Sequence, residues 1–165
     1  MEVSESWPSL LQARLNDNGY AYRVFNSSIT GETTQGGLSR LPRLIEKYQP
    51  AVVILELGGN DGLRGLPIEV SNSNLSAMIE QSQSANASVI LAEMRIPPNY
   101  GRTYTEKFNG MYSELSDQAG VTLLPFLLQD IALEPGLMQA DGIHPTAAAQ
   151  PKILEQVWGV LEPML

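Results

Sequence analysis

Short runs of β-branched and aliphatic residues alternate along this chain with longer stretches in which apolar positions recur every three or four residues. The short runs predict strands at "YRVFN" (22–26), "AVVILEL" (51–57), "SVILAEM" (88–94) and "VTLLP" (121–125). The middle two are apolar almost throughout, as expected for parallel strands covered on both faces. The longer stretches predict helices over about 7–18, 38–48, 70–85, 104–119 and 147–161. In "LSRLPRLIEKY", Leu38, Leu41, Leu44 and Ile45 fall on one helical face, while Arg40, Arg43, Glu46 and Lys47 look elsewhere. Pro42 is expected near the start of that helix, where a missing N–H is tolerated.

Such alternation predicts an α/β protein: a parallel sheet, right-handed crossovers, and helices on both faces. A length of 165 residues fits a single domain with a real core. In this architecture ligands gather where strands end, which directs attention to the loops that follow them. Three stand out: "NSSITGET" after the first run, "LGGNDG" after the second, and "DGIHP" near the C-terminus. The stretch "RIPPNYGR" (95–102) is a long loop, stiffened by two prolines and turned by a glycine.

Composition narrows the chemistry. Ten Lys and Arg against eighteen Asp and Glu give a formal charge of -8, which repels phosphate backbones and argues against nucleic acid as a partner. The chain has no cysteine, which excludes disulfides, thiolate metal sites and a cysteine nucleophile. One histidine and no cysteine leave too few good ligands for zinc. The longest apolar run, around "AVVIL", falls far short of the roughly 20 residues that span a bilayer. The first residues, "MEVSESWPSL", carry acids where a signal peptide carries bases. The phosphate-cradling glycine motifs of nucleotide sites are absent.

What remains is acid–base chemistry at the loops. His144 is the only histidine, and it follows Asp141 by three residues. Asp141 accepting from one imidazole nitrogen would fix the tautomer and leave the other nitrogen as a general base. The plainer alternative is a surface turn with Asp141 capping the next helix and His144 exposed. In "LGGNDG", paired glycines let a ligand approach the backbone and Asn60 offers an amide donor; the alternative is a turn with Asn60 or Asp61 as a helix N-cap. Gly31 is either a simple turn glycine or a backbone donor beside the same ligand atom. Together, an amide loop, a glycine loop and a late Asp-x-x-His fit acyl transfer best.

The segments "SSITGETTQGGLSRLP", "GGNDGLRG", "RIPPNYGRTY", "LLPF" and "DGIHPTAAAQP", in this order, closely resemble the SGNH (GDSL-type) hydrolases, specifically the bacterial thioesterase I, lysophospholipase and arylesterase group. The resemblance runs from about Trp7 to the C-terminus. It implies a three-layer α/β/α, flavodoxin-like fold and hydrolysis of carboxylic esters and thioesters without a metal or organic cofactor. It implies that Gly31 and Asn60 are oxyanion donors, His144 the base and Asp141 its orienting acid, with substrates among acyl thioesters, lysophospholipids and aryl esters. Arg64 and the 95–102 loop, with Asn99 and Tyr100, would flank the acyl groove. Members of the family are commonly periplasmic or secreted.

One departure matters. The family's nucleophile lies in a Gly-Asp-Ser motif just after its first strand, and that motif occurs nowhere in these 165 residues. The expectation is a single, N-terminally truncated domain without the first strand, the nucleophile or the serine's own N–H as third oxyanion donor. Either the strand at 22–26 then pairs directly with 51–57, or a second copy donates structure in an intertwined oligomer. Ser27, Ser28, Thr30, Ser4 and Ser6 are the hydroxyls nearest the matching segments. Two functional classes therefore stand: a hydrolase, and a catalytically impaired acyl- or lipid-binding module of the same fold. A receiver-like signalling domain fits less well, because its acidic cluster and late lysine are not evident.

Overall fold

The structure, a computed structural model, describes residues 2–165. The chain forms two compact units, one made of 28–126 and the other of 2–27 together with Leu127–Leu165.

The larger unit is built on a parallel sheet of three strands, β1 (Val52–Leu55), β2 (Ser88–Ala92) and β3 (Thr122–Leu124), in the order β1-β2-β3. Val53 stands opposite Val89 and Leu55 opposite Leu91, while Leu91 also registers with Leu123. Val89, Ile90, Leu91 and Ala92 are all buried although they alternate between faces, which explains the unbroken apolar run. Three long helices pack in this unit: α2 (Thr34–Tyr48), α4 (Ile68–Ser84) and α5 (Arg102–Ala119), with the short α3 (Gly59–Leu63) directly after β1. The core joins Leu55, Val89 and Leu91 of the sheet to Leu41, Leu75, Met78, Ile79, Phe108, Met111, Tyr112 and Leu115. Each of these side chains contributes about 1.5–3 kcal/mol when fully buried. On α5 the inward positions Phe108, Met111, Tyr112 and Leu115 follow the i, i+3, i+4, i+7 rule. Gly120, in the left-handed conformation at φ 64°, ends that helix.

In the smaller unit, α1 (Trp7–Asp17) and α6 (Gln150–Leu161) pack together, burying Leu11 and Leu15 from one and Ile153, Leu154, Val157 and Leu161 from the other. Gln150 Oε1 accepts from the Trp7 N–H at 2.9 Å. The Arg14 guanidinium lies 5.4 Å from the Trp158 ring centre and pairs with Glu155, while Tyr20 meets the same indole edge-on.

Three sequence expectations are corrected here. First, 22–26 is not a strand and does not pair with 51–57. The Gln12 side chain takes the ladder's place, its Oε1 accepting from the Val24 N–H at 2.7 Å and its Nε2 donating to the Tyr22 carbonyl at 3.1 Å. Second, the helix expected from 38 begins at Thr34, because Thr33 serves as N-cap and accepts from the Gly36 N–H. Pro42 therefore lies inside the helix, at the loss of one internal hydrogen bond. Third, Asn60 and Asp61 are not N-caps: both lie within α3, whose cap is Gly58 at φ 105°.

Candidate active site

In the smaller unit the chain folds back on itself between Gly136 and Thr146. Met138 and Pro145 form an antiparallel bridge, the Gln139 N–H donates to the His144 carbonyl at 2.8 Å, and the Thr146 N–H donates to the Leu137 carbonyl at 2.8 Å. Gly142, at φ 66°, turns the tip. Inside this turn Asp141 uses both of its oxygens. Oδ1 accepts the backbone N–H groups of Ile143 (2.9 Å) and His144 (3.0 Å), and Oδ2 stands 2.7 Å from His144 Nδ1. The hydrogen bond from the imidazole, then the two backbone N–H groups, hold the Asp141 carboxyl at about 2, below its ordinary 3.8. A carboxylate only accepts, so a neutral imidazole here carries its proton on Nδ1 and keeps a lone pair on Nε2. Asp141 caps no helix: the short 3-10 turn Ala147–Ala149 and α6 follow, with Thr146 at the first boundary. Both Asp141 and His144 are exposed in this chain.

The larger unit gathers the other candidates. Gly31, at φ 75°, lies in the turn before α2, a conformation open to glycine without strain. Asn60 lies in the first turn of α3, and its Nδ2 donates to the Glu32 carbonyl at 3.0 Å. A primary amide has two N–H donors, and this contact occupies one. The Arg64 guanidinium donates to the Gly31 carbonyl at 3.1 Å, so Gly31, Asn60 and Arg64 belong to one hydrogen-bonded assembly. Tyr100, in the short 3-10 turn Pro98–Tyr100, donates its hydroxyl to the Leu63 carbonyl at 2.8 Å, whereas Asn99 is exposed beside it.

Reasoning from sequence passed over the groups that hold this assembly. Asp61 is 1 % exposed, and its carboxylate accepts from the Thr34 N–H (2.9 Å), the Thr34 hydroxyl (2.6 Å) and the Ser71 hydroxyl (3.2 Å). Helix α5 braces the segments on either side of α3 with hydroxyls about two turns apart: Tyr112 donates to the Leu57 carbonyl at 2.9 Å and Tyr104 to the Leu66 carbonyl at 2.7 Å. Burial pushes the Tyr112 phenol far up, so it stays a donor. The signal for the tyrosines was their i, i+4 recurrence at 100, 104 and 112 around Phe108; the signal for Asp61 was only that an acid sits inside "GGNDG".

Among the described residues no group of three or more acidic or imidazole side chains is arranged to hold a metal ion, and no helix is long and apolar enough to cross a membrane.

The chain is 47 % identical over 165 residues to the esterase TesA of Pseudomonas aeruginosa, covering 100 % of this chain and 82 % of that protein. It is 41 % identical to thioesterase 1/protease 1/lysophospholipase L1 of Escherichia coli, covering 100 % of this chain and 78 % of that one. Its fold superposes on the crystal structure of the esterase EstA from Pseudoalteromonas, inhibited by monoethylphosphonate, with a TM-score of 0.95 at 39 % identity over 99 % of this chain and 90 % of that chain. The three-stranded parallel sheet with its helices is thus the SGNH-hydrolase α/β fold. The profile of the GDSL-like lipase/acylhydrolase family matches residues 2–150, and with that match and those relatives the chain belongs to this family.

Proposed function

We propose that this chain serves the hydrolysis of carboxylic esters and thioesters, with His144 as general base, Asp141 as its orienting acid, and the Gly31 N–H and Asn60 amide as oxyanion donors. The observation that carries the proposal is the 2.7 Å contact between Asp141 Oδ2 and His144 Nδ1, in a turn where Asp141 is itself held by two backbone N–H groups. An imidazole so oriented presents Nε2 as the acceptor of a proton.

The chemistry runs as acyl transfer. As the attacking O–H adds to the carbonyl carbon, its proton passes to Nε2 of His144, and the imidazolium formed is stabilised by the Asp141 carboxylate. The carbonyl oxygen gains a full negative charge, which N–H donors fixed beforehand stabilise far better than mobile water does. When the tetrahedral intermediate collapses, the carbon–oxygen or carbon–sulfur bond breaks and the leaving group takes the proton back from His144. In the family the attacking O–H is the serine of Gly-Asp-Ser. These 165 residues hold no such motif, so the group they can activate unaided is water or one of their own hydroxyls.

The decisive experiment is a p-nitrophenyl butyrate assay of the 165-residue chain beside His144→Ala, with fluorophosphonate labelling and peptide mapping. Turnover that His144→Ala abolishes supports the reading; a labelled serine names the nucleophile, and turnover without label points to water. If there is no turnover but acyl ligands bind, the hydrolytic reading gives way to the second one, an acyl- or lipid-binding module. We also infer that a second copy can supply a strand to β1, whose only ladder partner among the described residues is β2. Light scattering that finds a monomer at all concentrations overturns that.

A further inference from the structure

The segment 31–34 is stitched to the segment 60–64 through three residue pairs. Arg64 donates to the Gly31 carbonyl (3.1 Å), Asn60 donates to the Glu32 carbonyl (3.0 Å), and the Thr34 N–H donates to Asp61 (2.9 Å). They differ in strength. The Arg64 contact is exposed and the Asn60 contact partly so, whereas Asp61 and Thr34 are 1 % and 0 % exposed. A hydrogen bond open to water exchanges partners at little cost, while a buried one to a carboxylate has no substitute partner.

Asp61 is unusual in a second way. No ion pair among the described residues involves it, so no cation balances this buried carboxylate. The compensation comes from hydrogen bonds and from position: Thr34 is the first residue of the fifteen-residue helix α2, whose N-terminal N–H groups favour a negative charge. Asn74 Nδ2 donates to Thr34 Oγ1 at 3.0 Å, which commits the hydroxyl proton to Asp61. The outcome is one fixed geometry with every member partnered, the condition under which a buried polar network specifies a unique arrangement.

We propose that Asp61 is a positioning residue for the oxyanion site: through Thr34 it locks the turn that carries Gly31 in register with the helix that carries Asn60. The inference rests on the oxyanion reading given above for Gly31 and Asn60, and it adds what sets their mutual geometry. A carboxylate serves both Thr34 donors because it has two accepting oxygens; an amide in its place has one.

The test compares nitrogen-15-labelled wild-type chain with Asp61→Asn, Thr34→Val and Thr34→Ser by NMR and amide exchange. Asp61→Asn and Thr34→Val are expected to displace the Gly31 backbone and Asn60 side-chain amide signals, and to speed Thr34 amide exchange by about tenfold or more. The Val89 and Leu91 amides of β2 stay unchanged, and Thr34→Ser, which keeps the hydroxyl, restores the wild-type signals. Gly31 and Asn60 signals that stay put in both variants overturn the proposal. So do changes that reach Val89 and Leu91 equally, because the network is then only structural. If Asp61→Asn does not fold, Thr34→Val decides by the same criteria. None of these readouts needs turnover, so an Asn60→Ala variant with undiminished hydrolysis removes the oxyanion reading while the coupling is judged separately.

Discussion

Asp141 and His144 are joined twice: Oδ1 of the carboxylate accepts the histidine's backbone N–H at 3.0 Å, and Oδ2 meets its Nδ1 at 2.7 Å. One carboxylate thereby fixes where the histidine sits and which way its ring faces. Both residues are exposed, so packing does not hold the ring; the hydrogen bonds do.

That arrangement sets a pH dependence whose sign is definite. The Asp141 carboxyl is depressed from 3.8 to about 2, first by the imidazole hydrogen bond and then by the two backbone N–H groups. A depressed carboxyl stabilises the turn above its ordinary value and ceases to do so as pH falls through its folded value. The turn around 141–144 is thus expected to be intact at pH 4 and to open as pH falls toward about 2. Carbon-13 titration of the Asp141 carboxyl should find its midpoint near 2, with the Ile143 and His144 amide signals moving in step. His144→Ala should raise the midpoint toward 3.8. A wild-type midpoint already at the ordinary value contradicts the geometry.

A second prediction concerns the loop that leads into α3. Gly58 has φ 105°, and a Cβ on it would lie 2.2 Å from the Tyr112 hydroxyl oxygen. Gly58→Ala therefore combines backbone strain with a collision, and is expected to destabilise the fold by about 3 kcal/mol. Tyr112→Phe alone should cost about 1 kcal/mol, the price of the lost bond to the Leu57 carbonyl. In the double variant the two costs should sum to clearly more than is observed, since the phenylalanine removes the atom the new methyl strikes. Urea unfolding of the four proteins measures this, and strict additivity refutes it.

The runs at 51–57 and 88–94 were legible as strands, which form over Val52–Leu55 and Ser88–Ala92; β2 is buried on both faces, as its unbroken apolar run implied, whereas Val52, Val53 and Ile54 of β1 are only partly buried. The run at 22–26 looked similar but carries no ladder, and its reason is not local: Gln12, ten and twelve residues away, occupies the backbone of Tyr22 and Val24. The Asp141–His144 contact was legible because three residues of spacing keep both groups within one turn. Asp61 was not, because its partners Thr34 and Ser71 lie 27 and 10 residues away, and only the folded chain reveals that the acid in "GGNDG" is buried. The oxyanion roles proposed for Gly31 and Asn60 rest on family resemblance; their spacing alone fits an ordinary turn.

The Gln12 contact can be probed directly. Replacing Gln12 with Ala leaves the Val24 N–H and the Tyr22 carbonyl without their side-chain partners. The Val24 amide is expected to exchange about fivefold faster, in line with the loss of one hydrogen bond of about 1 kcal/mol. Amides of α6 such as those of Val157 and Trp158 should keep their protection. Exchange at Val24 that does not change means that another group satisfies it.

The last prediction separates a chemical from a structural part for Asn60. Its Nδ2 spends one N–H on the Glu32 carbonyl, which fixes the amide plane and, on the reading proposed above, leaves the other N–H to donate to the oxyanion. A donor that matters only once charge has developed on the carbonyl oxygen acts on the transition state and not on ground-state binding. In protein with measurable hydrolysis, Asn60→Ala is thus expected to lower kcat about 10²–10³-fold with KM little changed. Asn60→Asp should be at least as impaired, because it sets a negative charge where the oxyanion forms and loses the donor to Glu32 as well. Steady-state kinetics on p-nitrophenyl butyrate, with thermal unfolding of each variant, distinguishes the outcomes. A rise in KM at constant kcat would make Asn60 a binding group; a loss of rate that follows only the loss of folded protein would make it a structural one.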